Sequence, residues 1–450
     1  MKKEKIVLLL IIILFALNTW IYYSNHLGHI NSVAAIDEYF SIYLMHGMAV
    51  GGRTQQEDSL YKTMPIQNFV KINTLKNIYN NTIRDGGNGL LYYMIGHYLC
   101  SGLAKHIGIL HTLRFFNVIL SFTTLLLIFY FGKKFFNLLS AFGACCLYIF
   151  VSYEYGLFIR TYMLSTLLTF ILFYLAIQPE RNLLKNFLLF GVGLLMLFSH
   201  FFCIFPIIAV ILWEIYMFFK YKTFFANLAR RVFPLIIAIG VFTAWYLSEN
   251  QEGRNWQTKV SKWRQEKATQ WGTNNGIGWI IPTQPNLLLS ENIEWWLYYT
   301  NLDLRQINNH IRLLFLGIFL ALFLISATWL ARRKIFDNNA ALLLVIIVLF
   351  HWLALNILAI LSGHLTSIEY KFYGFIVFPM IASLIGVLFS TSFSKKILLI
   401  FYFLMIVNYF YGSYRQVHRN FSATFHSSTA DWQADNNKMV QKIQSSYEYQ

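Results

Sequence analysis

Apolar runs long enough to cross a membrane recur along the chain, each closed by a short polar or basic stretch. A hydrocarbon core of about 30 Å needs roughly 20 apolar helical residues. On that measure the pattern predicts spans near 6–24, 114–131, 138–152, 161–177, 183–202, 203–219, 232–248, 310–330, 340–361, 372–390 and 397–414. The expected architecture is an all-α polytopic membrane protein of about 11 transmembrane helices in a single domain, 1–450.

Charge in the connections orients these spans. Lys2, Lys3 and Lys5, then Lys133 and Lys134, Arg181 and Lys185, Lys220, Lys222, Arg230 and Arg231, Arg332 to Lys334, and Lys395 and Lys396 all fall on one side. Basic short loops mark the cytoplasmic face. The N-terminus is therefore expected inside and the C-terminal tail, 415–450, outside, polar and loosely ordered. The segment 89–108, "GLLYYMIGHYLCSGLAKHIG", is also long enough to cross, but a crossing there would turn every later basic cluster outward. It reads as a juxtamembrane helix, with His97 a structural residue within it. Two long outer loops follow, 25–113 and 249–309, the second carrying Trp256, Trp263, Trp271, Trp279, Trp295 and Trp296. A small-residue site at Val33 and Ala35 lies about a dozen residues past the first run, farther than signal cleavage requires. An uncleaved first span is the expectation.

Composition agrees with the pattern. Hydrophobic residues make up 57% of the chain and charged residues 12%, about half the charge of a soluble domain. The net charge of +16 lies in the membrane-flanking clusters, so anionic lipid is the expected partner and nucleic acid is not. The cysteines, Cys100, Cys145, Cys146 and Cys203, sit in or beside apolar runs without metal-ligand spacing, which suits packing.

Against this background a few polar residues stand out at the outer ends of spans: Asp37, Glu38, Arg114, Glu154, Arg160, His200, Glu369 and Lys371. Ionisable groups at such depth are costly and mark function. Each also has a plainer reading. Asp37 and Glu38 suit the first turn of a helix, Arg114 can snorkel to headgroups, Arg160 can pair with Glu154 and Lys371 with Glu369, and His200 can be a satisfied buried histidine.

The order of these segments resembles the GT-C glycosyltransferases, among them protein O-mannosyltransferases, aminoarabinose transferases and bacterial polyprenyl-phosphate-sugar-dependent relatives. The residues that carry the resemblance are "AAIDEYFSIYLMHG", "DGGNGLLYYMIGHYL", the Arg114-led span ending "GKKFFN", "YEYGLFIRTYMLSTLL", "LMLFSHFFCIF" and "EYKFYGFIVFPMIASLIG". The chain departs from the family where "GGNG" replaces prolines before "LLYY" and where Lys371 replaces an arginine.

The resemblance implies a GT-C fold with juxtamembrane helices in the first outer loop. It implies an inverting glycosyltransferase of a plasma (inner) membrane, acting at the periplasmic or extracellular face on a polyprenyl-phosphate-linked sugar. The acceptor would be a glycan, lipid or protein hydroxyl. Asp37 is then the general base with Glu38 beside it, and Arg114, Arg160, His200, Tyr370 and Lys371 contact the lipid phosphate or substrate. Some members use a divalent metal, but beyond Asp37 and Glu38 the sequence offers no convincing ligand cluster. The alternatives are a polysaccharide polymerase or ligase using pyrophosphate-linked glycans, and a lipid-linked-sugar flippase or transporter.

Overall fold

A computed structural model of the protein describes residues 2–27, 36–48, 63–72, 74–84, 88–151, 159–178, 182–222, 224–249, 281–282, 339–362, 364–365 and 427–449. The described residues form an all-α architecture. In chain order the helices are α1 (Lys2–Leu27), α2 (Ile36–Met45), α3 (Ile66–Ile72), α4 (Leu75–Arg84), α5 (Leu90–Ile107), α6 (Ile109–Phe135) and α7 (Leu138–Val151). There follow α8 (Tyr162–Ile177), α9 (Leu183–Ser199), α10 (Ile204–Tyr221), α11 (Phe225–Glu249), α12 (Asn339–Ser362) and α13 (Ser427–Tyr449). The only strands among these residues are two-residue pieces, β1 (Ile281–Pro282) and β2 (His364–Leu365), which pair antiparallel and tie the second long loop to the chain just after α12.

Every expected span up to 248, and the one at 340–361, falls on a helix. Those at 310–330, 372–390 and 397–414 lie outside the described residues. Among the described residues three helices are long and apolar enough to cross a membrane: Ile109–Phe135, Phe201–Tyr221 and Phe225–Glu249. Tyr162–Ile177 and Leu183–Ser199 are apolar but shorter. α1, α5 and α12 are not among the three. Large apolar side chains such as Leu183, Phe187, Phe225, Phe233, Ile236 and Val241 point outward, a surface suited to lipid rather than water.

Short connections set the packing. Gly132 lets α6 meet α7 closely, since a Cβ there would sit 2.8 Å from the Cα of Ala141. Asn137 then accepts the Ser140 N–H at 2.9 Å and starts α7, and Asn182 does the same for α9 through the Lys185 N–H. α6 packs on α7 and α8, α9 on α8 and α11, and α10 on α11 and α12. The buried Asn18 amide reaches Ile149 O and ties α1 to α7. At one end of this bundle lie Glu4 with Lys133, Lys134 with Tyr174, and Tyr221 with Asn339. Glu38, Arg114, Arg160 and His200 lie at the other.

That second end is covered by a collar of α2, α4, α5 and α13, with α3 packed against α13. α5 and α6 are separated by Gly108 alone, whose φ of 83° turns the chain between them. The expectation of a loosely ordered tail is corrected for 427–449. α13 lays Met439, Ile443 and Tyr447, spaced one helical turn apart, into the collar as buried residues. Its polar side chains finish the seal. Gln444 accepts the Ile109 N–H at 3.0 Å and donates to Ala104 O at 2.8 Å, bridging the Gly108 corner. Tyr39 donates to Asn437 Oδ1 at 2.5 Å.

Candidate functional site

α2 begins one residue before Asp37, so both carboxylates occupy its first turn, where the helix dipole favours negative charge. The Asp37 side chain lies outside the described residues. Glu38 is buried, 4% exposed, and both of its oxygens are engaged. Oε2 accepts from Arg114 Nη2 at 3.4 Å, and Oε1 accepts the backbone N–H of Ile159 at 3.0 Å. One carboxylate thus fastens α2 to α6 and to the turn that precedes α8. A buried carboxylate needs such partners, because unpaired it would cost several kcal/mol, of order 3–5.

Arg114 is itself buried at 8% exposure. It does not snorkel outward. Below it on α6, Asn117 accepts from the Tyr92 hydroxyl at 3.0 Å, which pins α5 alongside. The next residue of α5, Tyr93, presents its hydroxyl to Arg160 Nη1 at 3.3 Å. Gly89 sets this up. Its φ of 87° suits glycine, and an added Cβ would lie 2.9 Å from the Tyr93 ring. The "GGNG" departure therefore has a local role, since Gly89 starts α5 and makes room for Tyr93.

Thr161 donates to Ser199 O at 2.5 Å and joins the Arg160 turn to the end of α9. His200 follows, fully within the protein, and its Nδ1 accepts the Phe202 N–H at 3.2 Å to cap the 3-10 turn Phe201–Cys203. Asn88 accepts the Phe201 N–H at 3.4 Å. Both Arg160 and His351 of α12 lie within electrostatic reach of His200.

Glu38, Arg114, Arg160 and His200 therefore converge at one end of the bundle, drawn from α2, α6, the turn before α8 and the end of α9. Glu154, Glu369, Tyr370 and Lys371 lie outside the described residues, as do the tryptophans of the second loop. His97 is structural in its contacts, its Nδ1 hydrogen-bonding Met45 O at 3.1 Å between α5 and α2. Sequence reasoning passed over Asn88, Tyr93 and His351. Tyr93 stood in a quoted motif, and His351 interrupts a long apolar run, which is itself a signal.

Among the described residues no three His, Cys, Asp or Glu side chains group as metal ligands, and Glu38 is already engaged. The described part of the site does not fit a metal. No protein-family model, curated protein or solved structure matches the chain.

Proposed function

We propose that the protein is an inverting glycosyltransferase that moves a sugar from a polyprenyl-phosphate donor to an acceptor hydroxyl, within a GT-C-like arrangement of about 11 membrane helices. The observation that carries the reading is the clamp made by Glu38. With both oxygens engaged by Arg114 and Ile159, Glu38 acts as a positioning residue, and the base is its neighbour Asp37. The clamp holds the first turn of α2, whose backbone carries Asp37, beside the Arg160 turn.

In this scheme Asp37 takes the acceptor hydroxyl proton as that oxygen bonds to the anomeric carbon. The bond from the anomeric carbon to the phosphate oxygen breaks, and negative charge grows on the lipid phosphate. Arg114 already faces Glu38, so the phosphate contact is assigned to Arg160 and Lys371, whose fixed charge is worth most where water is excluded. The site faces the side opposite the basic loops.

Mass spectrometry of surface glycans and glycolipids from a deletion strain tests this. The strain is complemented with wild type, Asp37→Asn and the loop control Asp58→Asn, each checked for expression. A single-sugar mass shift lost on deletion, and left unrestored by Asp37→Asn alone, is the expected result. Full restoration by Asp37→Asn removes Asp37 as the base and favours a polymerase or a transporter.

A further inference from the structure

His351 sits in the middle of α12 with none of its surface exposed, and neither ring nitrogen meets a hydrogen-bond partner among the described residues. Whichever tautomer the ring adopts, one N–H points at no acceptor. Buried polar groups are nearly always paired, and a lone donor is destabilising. Such a group persists where something other than folding requires it.

Its place in the fold says what. α10 and α12 run antiparallel, joined at the basic end by the Tyr221 hydroxyl and Asn339 Oδ1 at 3.3 Å. At the other end the His351 ring meets Phe205, in the first turn of α10, edge-on at 5.6 Å. That turn follows directly from the 3-10 segment capped by His200. His351 therefore stands level with the polar cluster, on a helix that continues about 16 Å beyond it at 1.5 Å per residue. Arg160 and His351 approach His200 from different elements. A fixed cation beside buried nitrogen donors, in apolar surroundings, is a setting for an anion.

We propose that His351 contacts the phosphate of the lipid-linked donor, its N–H donating to a phosphate oxygen, so that α12 forms the wall of the donor site facing the Arg160 turn. The inference rests on the donor reading above and adds to it a residue outside the motifs that suggested that reading. A phosphate oxygen supplies the acceptor that the described residues do not.

Binding to the full-length protein in detergent micelles separates the two ideas. The probes are farnesyl phosphate and farnesol, the second lacking only the charged group. Wild type is expected to prefer farnesyl phosphate. His351→Phe should weaken farnesyl phosphate about tenfold or more while leaving farnesol unchanged, the loss of one hydrogen bond to a charged group. Because it fills the same space without a lone donor, it should also raise the apparent Tm. His351→Gln, which keeps a donor, should retain most of the affinity.

Equal binding by wild type and His351→Phe overturns the inference and leaves the donor reading standing. A lowered Tm with His351→Phe, or the same loss with His351→Gln, makes His351 a packing residue and overturns it as well. If wild type binds farnesyl phosphate no better than farnesol, the donor reading fails and this inference fails with it.

Discussion

Among the described residues two buried carboxylates hold an arginine, and they do so differently. Glu38 meets Arg114 at 3.4 Å with both side chains under 10% exposed, while Glu214 meets Arg231 at 3.1 Å with the arginine 29% exposed. Glu214 and Arg231 lie 17 residues apart on the successive helices α10 and α11. Glu38 and Arg114 are 76 residues apart, and Glu38 also holds the Ile159 N–H, 121 residues along the chain. The first pair closes a corner that chain connectivity already brings together. The second brings together segments that nothing local would join, at the end where the other polar residues gather.

A buried pair is weak evidence for stability, since apolar residues of similar size often serve as well. What Glu38 supplies is position. Glu38→Gln should therefore be the most damaging change, leaving Arg114 buried without its anion at a cost of about 3–5 kcal/mol and abolishing the proposed transfer. Thermal unfolding in detergent, read beside glycan mass spectrometry, measures both. The paired replacement Glu38→Leu with Arg114→Leu should recover much of the stability and none of the transfer. If transfer returns with stability, the pair was only structural and the contrast drawn above collapses.

The collar supplies a second long-range tie with a pH dependence. His46 hydrogen-bonds Ile42 O through Nδ1 at 2.6 Å and Tyr447 through Nε2 at 2.5 Å, 401 residues along the chain. The neutral ring with its proton on Nδ1 satisfies both, donating to Ile42 and accepting from the Tyr447 hydroxyl. Burial lowers its pKa from the ordinary 6.5 to about 4, with the carbonyl of Ile42 opposing the shift and His97 adding slightly to it. The unfolded chain then binds the extra proton between those values. The contribution of His46 is complete above pH 6.5 and is lost as the pH falls toward 4, on the order of 3 kcal/mol. Proteolytic release of 427–449 should accelerate over that range, and a flat profile would show that His46 does not couple α13 to α2.

Smaller effects follow. Gly89→Ala places a Cβ against Tyr93 at a φ of 87°, and about 1–2 kcal/mol of lost stability is expected, with Arg160 losing its Tyr93 partner. Transfer should fall more than the Tm shift explains. Glu214→Gln should cost least, about 1 kcal/mol, because Arg231 can turn toward water or headgroups. A loss as large as that of Glu38→Gln would erase the difference between the two pairs.

The helices from α6 to α12 were legible because long apolar runs have few alternatives, and the basic loops between them kept the segment 89–108 out of the membrane count. The acidic pair after the first span was legible as an anomaly. Which of the two would take Arg114 was not, because successive helical positions point about 100° apart and the rotation of α2 is set by its packing on α5. There the close approach of Gly96 to Met45 decides the fit, with a hypothetical Cβ 2.6 Å from the Met45 sulfur. The tail was misjudged through its polar composition, although Met439, Ile443 and Tyr447 carry a helical stripe. His351 was overlooked because it matched no motif, while its isolation among apolar residues was the better clue.

The contact between His46 and Tyr447 also fixes an order of assembly. Tyr447 leaves the ribosome 401 residues after His46, roughly 20–80 s later at common elongation rates. Through that interval the collar helices α2 to α5 expose the apolar face that α13 will cover. A nascent chain of this protein therefore displays an unfinished surface until synthesis reaches α13. Chaperones and proteases would meet it in this state, and a stop codon before 427 would make the state permanent.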